Sequence, residues 1–163
     1  MTRQPLQSQV PVGLLIAAVR RRLKQTVGDV ARPLRLTPQQ FWVMVGISER
    51  EGLSLTELAE RHPLDQPTAS RVVSALARRR LVHVADDTAD RRRSHLLLTE
   101  SGRLLAARLQ PLAEEIRAAI VAGFEPAELE SLAAALRRIV ANHERHAVAR
   151  GRAASGTAIG GRP

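Results

Sequence analysis

Between Gln66 and Arg78 the chain carries amide, hydroxyl and guanidinium groups at Gln66, Thr68, Ser70, Arg71, Ser74 and Arg78, with Pro67 among the first of them. A little further on come Asp90, Arg91, Arg92 and Arg93, one carboxylate followed by consecutive cations. Side chains of the first kind can bond base edges in a major groove: glutamine with adenine, arginine with guanine or a phosphate, a threonine methyl with a thymine methyl. Long cations at a loop tip suit the narrow, electronegative minor groove. An ordinary solvated helix face or a charged turn would use the same residue types, so the elements that carry them decide between the readings.

Ser54-Leu55-Thr56-Glu57 is a capping box that opens a short helix to about Arg61, with Leu55, Leu58 and Ala59 inward. A longer helix is predicted from about Gln66 to Arg80, capped by Asp65 and with Pro67 in its first turn. Its apolar positions Ala69, Val72, Val73 and Leu76 recur at helical spacing, which leaves the polar set on the opposite face. Two helices joined by a tight turn at His62-Pro63 form a helix-turn-helix pattern. The period then shortens to two. Val82 and Val84, then Leu96 and Leu98, flank a polar run and predict a β-hairpin with Val84 opposite Leu96 and Val82 opposite Leu98. One face of that hairpin is expected to be wholly apolar, with its tip near Asp90. A helix-turn-helix followed by a hairpin is a winged helix, and a basic wing tip beside a polar helix face points to duplex DNA.

The flanking elements follow from the same periodicities. Val12, Leu15, Ile16, Val19, Leu23, Val27 and Val30 predict a first helix ended by Pro33. Thr37-Pro38-Gln39-Gln40 starts a second, through Phe41, Trp42 and Val45 to about Arg50. Thr99-Glu100-Ser101-Gly102 begins a long helix bent at Pro111 and ended by Gly123; Pro126 and Glu128 begin the last one. The fold class is therefore mainly α with a small β-hairpin wing. We expect a flexible N-terminus over 1–9, one winged-helix domain over 10–150 and a disordered Gly/Ala/Ser tail over 151–163. Within the domain, 37–99 is the DNA-binding part, and helices over about 10–32 and 126–149 carry apolar faces too wide for that small core alone. A two-fold homodimer would cover them and would read a pseudo-palindromic operator with half-sites about 10 base pairs apart; packing within one chain is the alternative.

With these elements placed, Leu55 to Gly102 resembles the MarR family of bacterial transcriptional regulators. The carrying segments are LTELAERHPLDQPTASRVVSALARRRLV and DDTADRRRSHLLLTESG, and the helix order extends the similarity over about residues 10–147. The resemblance implies a homodimer with interlocked first and last helices, and commonly a repressor released from DNA by a small-molecule ligand. It implies that Asp90 holds an arginine by a salt bridge while Arg91 or Arg92 enters the minor groove. It also implies an effector pocket lined by Phe41, Trp42 and Val45, residues that serve equally well as core. Two positions depart from the family pattern: Pro63 and Arg80 stand where glycine is usual.

Composition bounds the rest. Twenty-five Lys+Arg against 16 Asp+Glu give a formal charge of +9 over 163 residues, and Lys24 is the only lysine. Arginine-rich usage suits phosphate contact, although a GC-rich coding genome produces it as well. No cysteine is present, which excludes disulfides, thiolate metal sites and thiol redox sensing. No signal peptide or run of about 18 apolar residues is found, so a soluble cytoplasmic protein without membrane contact is expected. There is no Gly-rich phosphate loop, carboxylate pair or nucleophile setting, so no enzyme and no cofactor are expected. His143 and His146 flank Glu144 at a spacing that metal sites use, but no second cluster completes it, and they are read as solvated. The remaining alternative is a winged-helix module for protein contacts, which would have no need of consecutive cations at the wing tip.

Overall fold

The computed structural model describes residues 11–62, 64–86 and 94–157, and the chain divides into two compact units, one ending at Arg117 and one beginning at Ala118. The first unit contains α1 (Val12–Ala31), a 3-10 turn (Arg32–Leu34), α2 (Pro38–Glu49), α3 (Leu55–Arg61), α4 (Gln66–Arg78), β1 (Val82–Asp86), β2 (Ser94–Leu98) and most of α5 (Glu100–Val121). The second contains α6 (Pro126–Thr157).

The core of the first unit is built around α2. Phe41, Val43, Met44, Val45, Gly46 and Ile47 are all buried, so this helix is apolar on nearly every side, as a central helix must be. Leu58 of α3, Val72, Val73 and Leu76 of α4, Leu96 and Leu98 of β2, and Ala106, Leu109, Ala113 and Ile116 of α5 pack into one cluster with it. Phe41 and Trp42 meet edge to face, their ring centroids 5.2 Å apart. From α1 only Val27 and Ala31 are buried, whereas Val12, Leu14, Leu15, Ile16 and Val19 are exposed. In the second unit Leu132, Leu136 and Val140 of α6 are likewise exposed.

Local signals account for the boundaries. Both capping boxes form. Thr37 Oγ1 accepts from the Gln40 N–H at 3.2 Å while the Thr37 N–H donates to Gln40 Oε1 at 3.0 Å. Ser54 Oγ accepts from the Glu57 N–H at 3.2 Å, and the Ser54 N–H donates to Glu57 Oε2 at 2.8 Å. These bonds satisfy amides that the first helical turn leaves open. Ser54→Ala should therefore cost about 1 kcal/mol of stability, read as a lower urea midpoint with an unchanged slope.

The hairpin register is the expected one, Val82 opposite Leu98 and Val84 opposite Leu96. Its apolar face is shorter than expected. Val82, Leu96 and Leu98 are buried, but Val84 is 49% exposed. The core beneath the wing ends where Leu53 bridges Leu96, and Val84 on the neighbouring strand is left outside it. At the chain's other end, α6 continues to Thr157 rather than giving way near Arg150. No proline interrupts Ala147–Thr157, and its alanines favour helix over Gly151. The expected tail from 158 on and the N-terminal residues 1–9 lie outside the described residues, as do Pro63 and the wing tip 87–93 with Asp90, Arg91, Arg92 and Arg93.

Candidate nucleic-acid interface

α4 is aimed by its cap. Asp65 Oδ1 accepts the Thr68 N–H at 2.7 Å, and this bond, followed by the Thr68 hydroxyl, holds the Asp65 carboxyl below its ordinary value. The carboxylate is thus charged at neutral pH at the positive end of the helix, where a negative group is favoured. Ala69, Val72, Val73 and Leu76 are buried. Gln66, Pro67, Ser70, Arg71, Ser74 and Arg78 are exposed and Thr68 is half-buried. The helix therefore separates an anchored side from a polar side as its sequence predicts. Among its described residues no large apolar side chain is exposed.

The outward groups are partly ordered among themselves. Gln66 Nε2 donates to Thr56 Oγ1 of α3 at 2.9 Å. Arg71 Nη2 donates to Thr68 Oγ1 at 3.0 Å and its Nε to the Pro67 carbonyl at 3.3 Å. These bonds set the guanidinium over the first turn of α4 while leaving further donors open to a ligand. Thr56 was not foreseen as a partner. The only sequence signal for it is its place in the first turn of the preceding helix.

The wing is fixed to the body at its base. The Leu96 N–H donates to the Leu53 carbonyl at 2.8 Å, the Gly52 N–H donates to the Leu96 carbonyl at 3.0 Å, and His95 Nδ1 lies 2.7 Å from the Gly52 carbonyl. Where β2 leaves the hairpin the Thr99 hydroxyl donates to the Arg80 carbonyl at 2.6 Å and accepts the Gly102 N–H at 3.0 Å. One side chain thus joins the exit of α4 to the entry of α5.

The turn between α3 and α4 carries the first family departure. His62 is extended, with φ −110° and ψ 103°, as a residue before proline is biased to be. Its ring occupies the space a side chain at Gly46 would need. Burial pushes the His62 pKa below its ordinary value, with Glu49 opposing and Arg61 and Arg117 reinforcing the shift. The unfolded chain then binds the proton more readily than the fold does. Stability should fall as pH drops through about 6.5, and the loss is complete below the depressed folded value. His62→Gln should flatten the profile of thermal midpoint between pH 7 and 5; an unchanged slope would contradict this assignment.

Of the candidate effector residues, Phe41 and Val45 are fully buried core, and only Trp42 keeps accessible surface. The Arg117 guanidinium stands 5.5 Å from the Trp42 ring centroid and pairs with Glu49 at 2.7 Å. Sequence reasoning missed Arg117, because nothing local marks a partner so distant along the chain. Among the described residues no three His, Asp or Glu side chains stand close enough to hold a metal ion. No described helix is long and apolar enough to cross a membrane.

A buried core helix, a capped helix-turn-helix and a hairpin locked to it define a winged helix-turn-helix protein. The sequence profile described as the MarR family matches residues 36–93. The uncharacterized HTH-type transcriptional regulator YybA of Bacillus subtilis (strain 168) is 28% identical over 130 residues, 80% of this chain and 87% of its own. The HTH-type transcriptional repressor NicR of Pseudomonas putida is 29% identical over 110 residues, 68% of this chain and 70% of its own. Among solved structures, Bordetella bronchiseptica BpsR, whose DNA binding is regulated by 6-hydroxynicotinic acid, superposes with a TM-score of 0.69 at 29% identity, covering 84% of this chain and 98% of that one. A MarR family regulator from Listeria monocytogenes complexed with 26mer DNA gives 0.67 at 27% identity, covering 78% and 85%.

Proposed function

We propose that this protein is a homodimeric, sequence-specific duplex-DNA-binding transcriptional repressor, released by a small ligand, that works in the cytoplasm and catalyses no reaction. The observation that carries the reading is the polar face of α4: Gln66, Pro67, Thr68, Ser70, Arg71, Ser74 and Arg78 point outward from a helix whose other side is anchored in the core. Such a face supplies donors and acceptors to base edges and cations to phosphates. Asp90, Arg91, Arg92 and Arg93 are assigned to the wing contact, Arg91 or Arg92 entering the minor groove. A protein-contact module would be expected to expose apolar anchors, and α4 exposes none among its described residues.

The exposed apolar residues of α1 and α6 support the dimer, since a second chain would cover them. Hydroxyl-radical footprinting on the region upstream of its own gene tests the symmetry. Two protected half-sites about 10 base pairs apart around a dyad are expected; a single protected site bound by a monomer would overturn the dimeric reading.

For the effector, the regulation of BpsR by an aromatic acid and the Trp42–Arg117 pair together favour a small aromatic carboxylate. Its ring would rest on the Trp42 edge and its carboxylate would compete with Glu49 for Arg117. Trp42 is the only tryptophan, so its emission reports binding directly. Titration with 6-hydroxynicotinic acid should quench that emission and release DNA, and Arg117→Ala should abolish both effects. Release of DNA with no change in Trp42 emission would place the effector elsewhere.

A further inference from the structure

Two helix ends in this protein use arginine where the backbone calls for glycine. After α1 and its 3-10 turn, the Arg35 N–H donates to the Arg32 carbonyl at 2.9 Å and the Leu36 N–H to the Ala31 carbonyl at 3.1 Å. After α4, the Arg80 N–H donates to the Ala77 carbonyl at 2.8 Å and the Leu81 N–H to the Leu76 carbonyl at 3.1 Å. Each pair of bonds is a Schellman motif, whose penultimate residue must be left-handed. Arg35 and Arg80 accordingly both sit at φ 55°, a region that disfavours any residue with a Cβ. Among the described residues the other left-handed turns use glycine, Gly52 at φ 83° and Gly123 at φ 81°.

The two strained arginines belong to one surface. Arg79 Nη1 donates to the Arg35 carbonyl at 2.7 Å, which ties the end of α1 to the end of α4. Arg35, Arg78, Arg79 and Arg80 are exposed, and none has an ion pair among the described residues. Strained backbone retained with an exposed cation points to function rather than to packing. At 1.5 Å per residue α4 is about 20 Å long, against a major groove about 12 Å wide. A helix whose first turn reads bases therefore carries its last turn out to the flanking phosphates.

We propose that Arg35, Arg79 and Arg80 form a phosphate-gripping ridge at the C-terminal end of α4, holding the duplex backbone beside the bases read by its first turn. This rests on the DNA-binding reading above. The ridge contacts only the backbone, so it adds affinity and salt dependence without adding sequence preference.

The test is anisotropy of labelled upstream duplex across a salt series, with the full-length dimer and the variant Arg35→Gly/Arg80→Gly. Glycine relieves the left-handed backbone, so the variant should melt a few degrees higher than wild type. It should bind about tenfold more weakly at physiological salt, with the slope of log affinity against log salt shallower by about 0.9 per phosphate contact removed. Its preference for the upstream duplex over a scrambled one should be unchanged. Arg35→Gln/Arg80→Gln, which keeps a side chain at both positions, should lose the same slope, and Arg35→Lys/Arg80→Lys should retain it. An unchanged salt slope in both neutral variants, with wild type binding normally, overturns the ridge alone. A wild-type dimer that binds no duplex overturns the DNA reading, and the ridge with it.

Discussion

Gly102→Ala is expected to remove about 3 kcal/mol of stability, the largest loss from a single methyl group in this fold. A Cβ at Gly102 would overlap the Leu81 carbonyl oxygen. That oxygen cannot retreat cheaply. It accepts the Thr99 N–H at 3.1 Å, and the Leu81 N–H is itself bound to the Leu76 carbonyl at the end of α4. The side chain of Leu81 is buried in the core, so the whole residue is held from both sides. Relief would require α5 to pull away from the α4–β1 junction, breaking the bonds that Thr99 makes to Arg80 and Gly102. The thermal midpoint should drop by roughly 10 °C at this chain length. Thr99→Val, which loses those bonds but adds no overlap, should cost less. A Gly102→Ala protein as stable as wild type would show that this junction is not the rigid joint between α4 and the wing base.

Arg71→Ala should have the largest effect on DNA affinity of any single change on α4, about 10- to 100-fold, or ~1–3 kcal/mol. The guanidinium is already ordered over the first turn by Thr68 and Pro67, so less rotamer entropy remains to be lost when DNA binds. The side chain is exposed and packs against nothing in the core, so folding stability should stay within about 0.5 kcal/mol of wild type. Competition with duplexes altered one base pair at a time separates its two possible ligands. A loss confined to one base pair identifies a guanine edge; a loss uniform across all of them identifies a phosphate. Wild-type affinity in the alanine variant would remove Arg71 from the interface.

Much of this architecture is legible from local chemistry. The bounds of α3, Leu55–Arg61, follow from the Ser54 capping box and the Leu58–Ala59 face. The hairpin register follows from a period of two on either side of a polar turn. The sorting of α4 into buried and exposed residues follows from its 3.6-residue period. What was not legible depends on contacts between distant segments. Alternation assigns Val84 to the apolar face but cannot say that the core stops at the Leu53–Leu96 bridge and leaves Val84, the cross-strand partner of Leu96, exposed. Nothing near Gln66 reveals that Thr56 will hold its amide, and nothing near Trp42 reveals Arg117 above its ring. The left-handed Arg80 was marked only by the family's glycine at that place. Arg35 carried no mark, because an arginine that caps a helix looks, in sequence, like any other surface cation.

The central claim is that this chain recognises particular duplex DNA through α4 and the wing. The most direct measurement is fluorescence anisotropy of labelled duplex from the upstream region of its own gene against a scrambled duplex, from low to physiological salt, for wild type and for Arg91→Ala/Arg92→Ala. The account predicts tight, sequence-selective binding that weakens steeply with salt, because each phosphate contact releases counterions that added salt drives back onto the DNA, and a marked loss in the double variant. A folded dimer that binds neither duplex at low salt would contradict it.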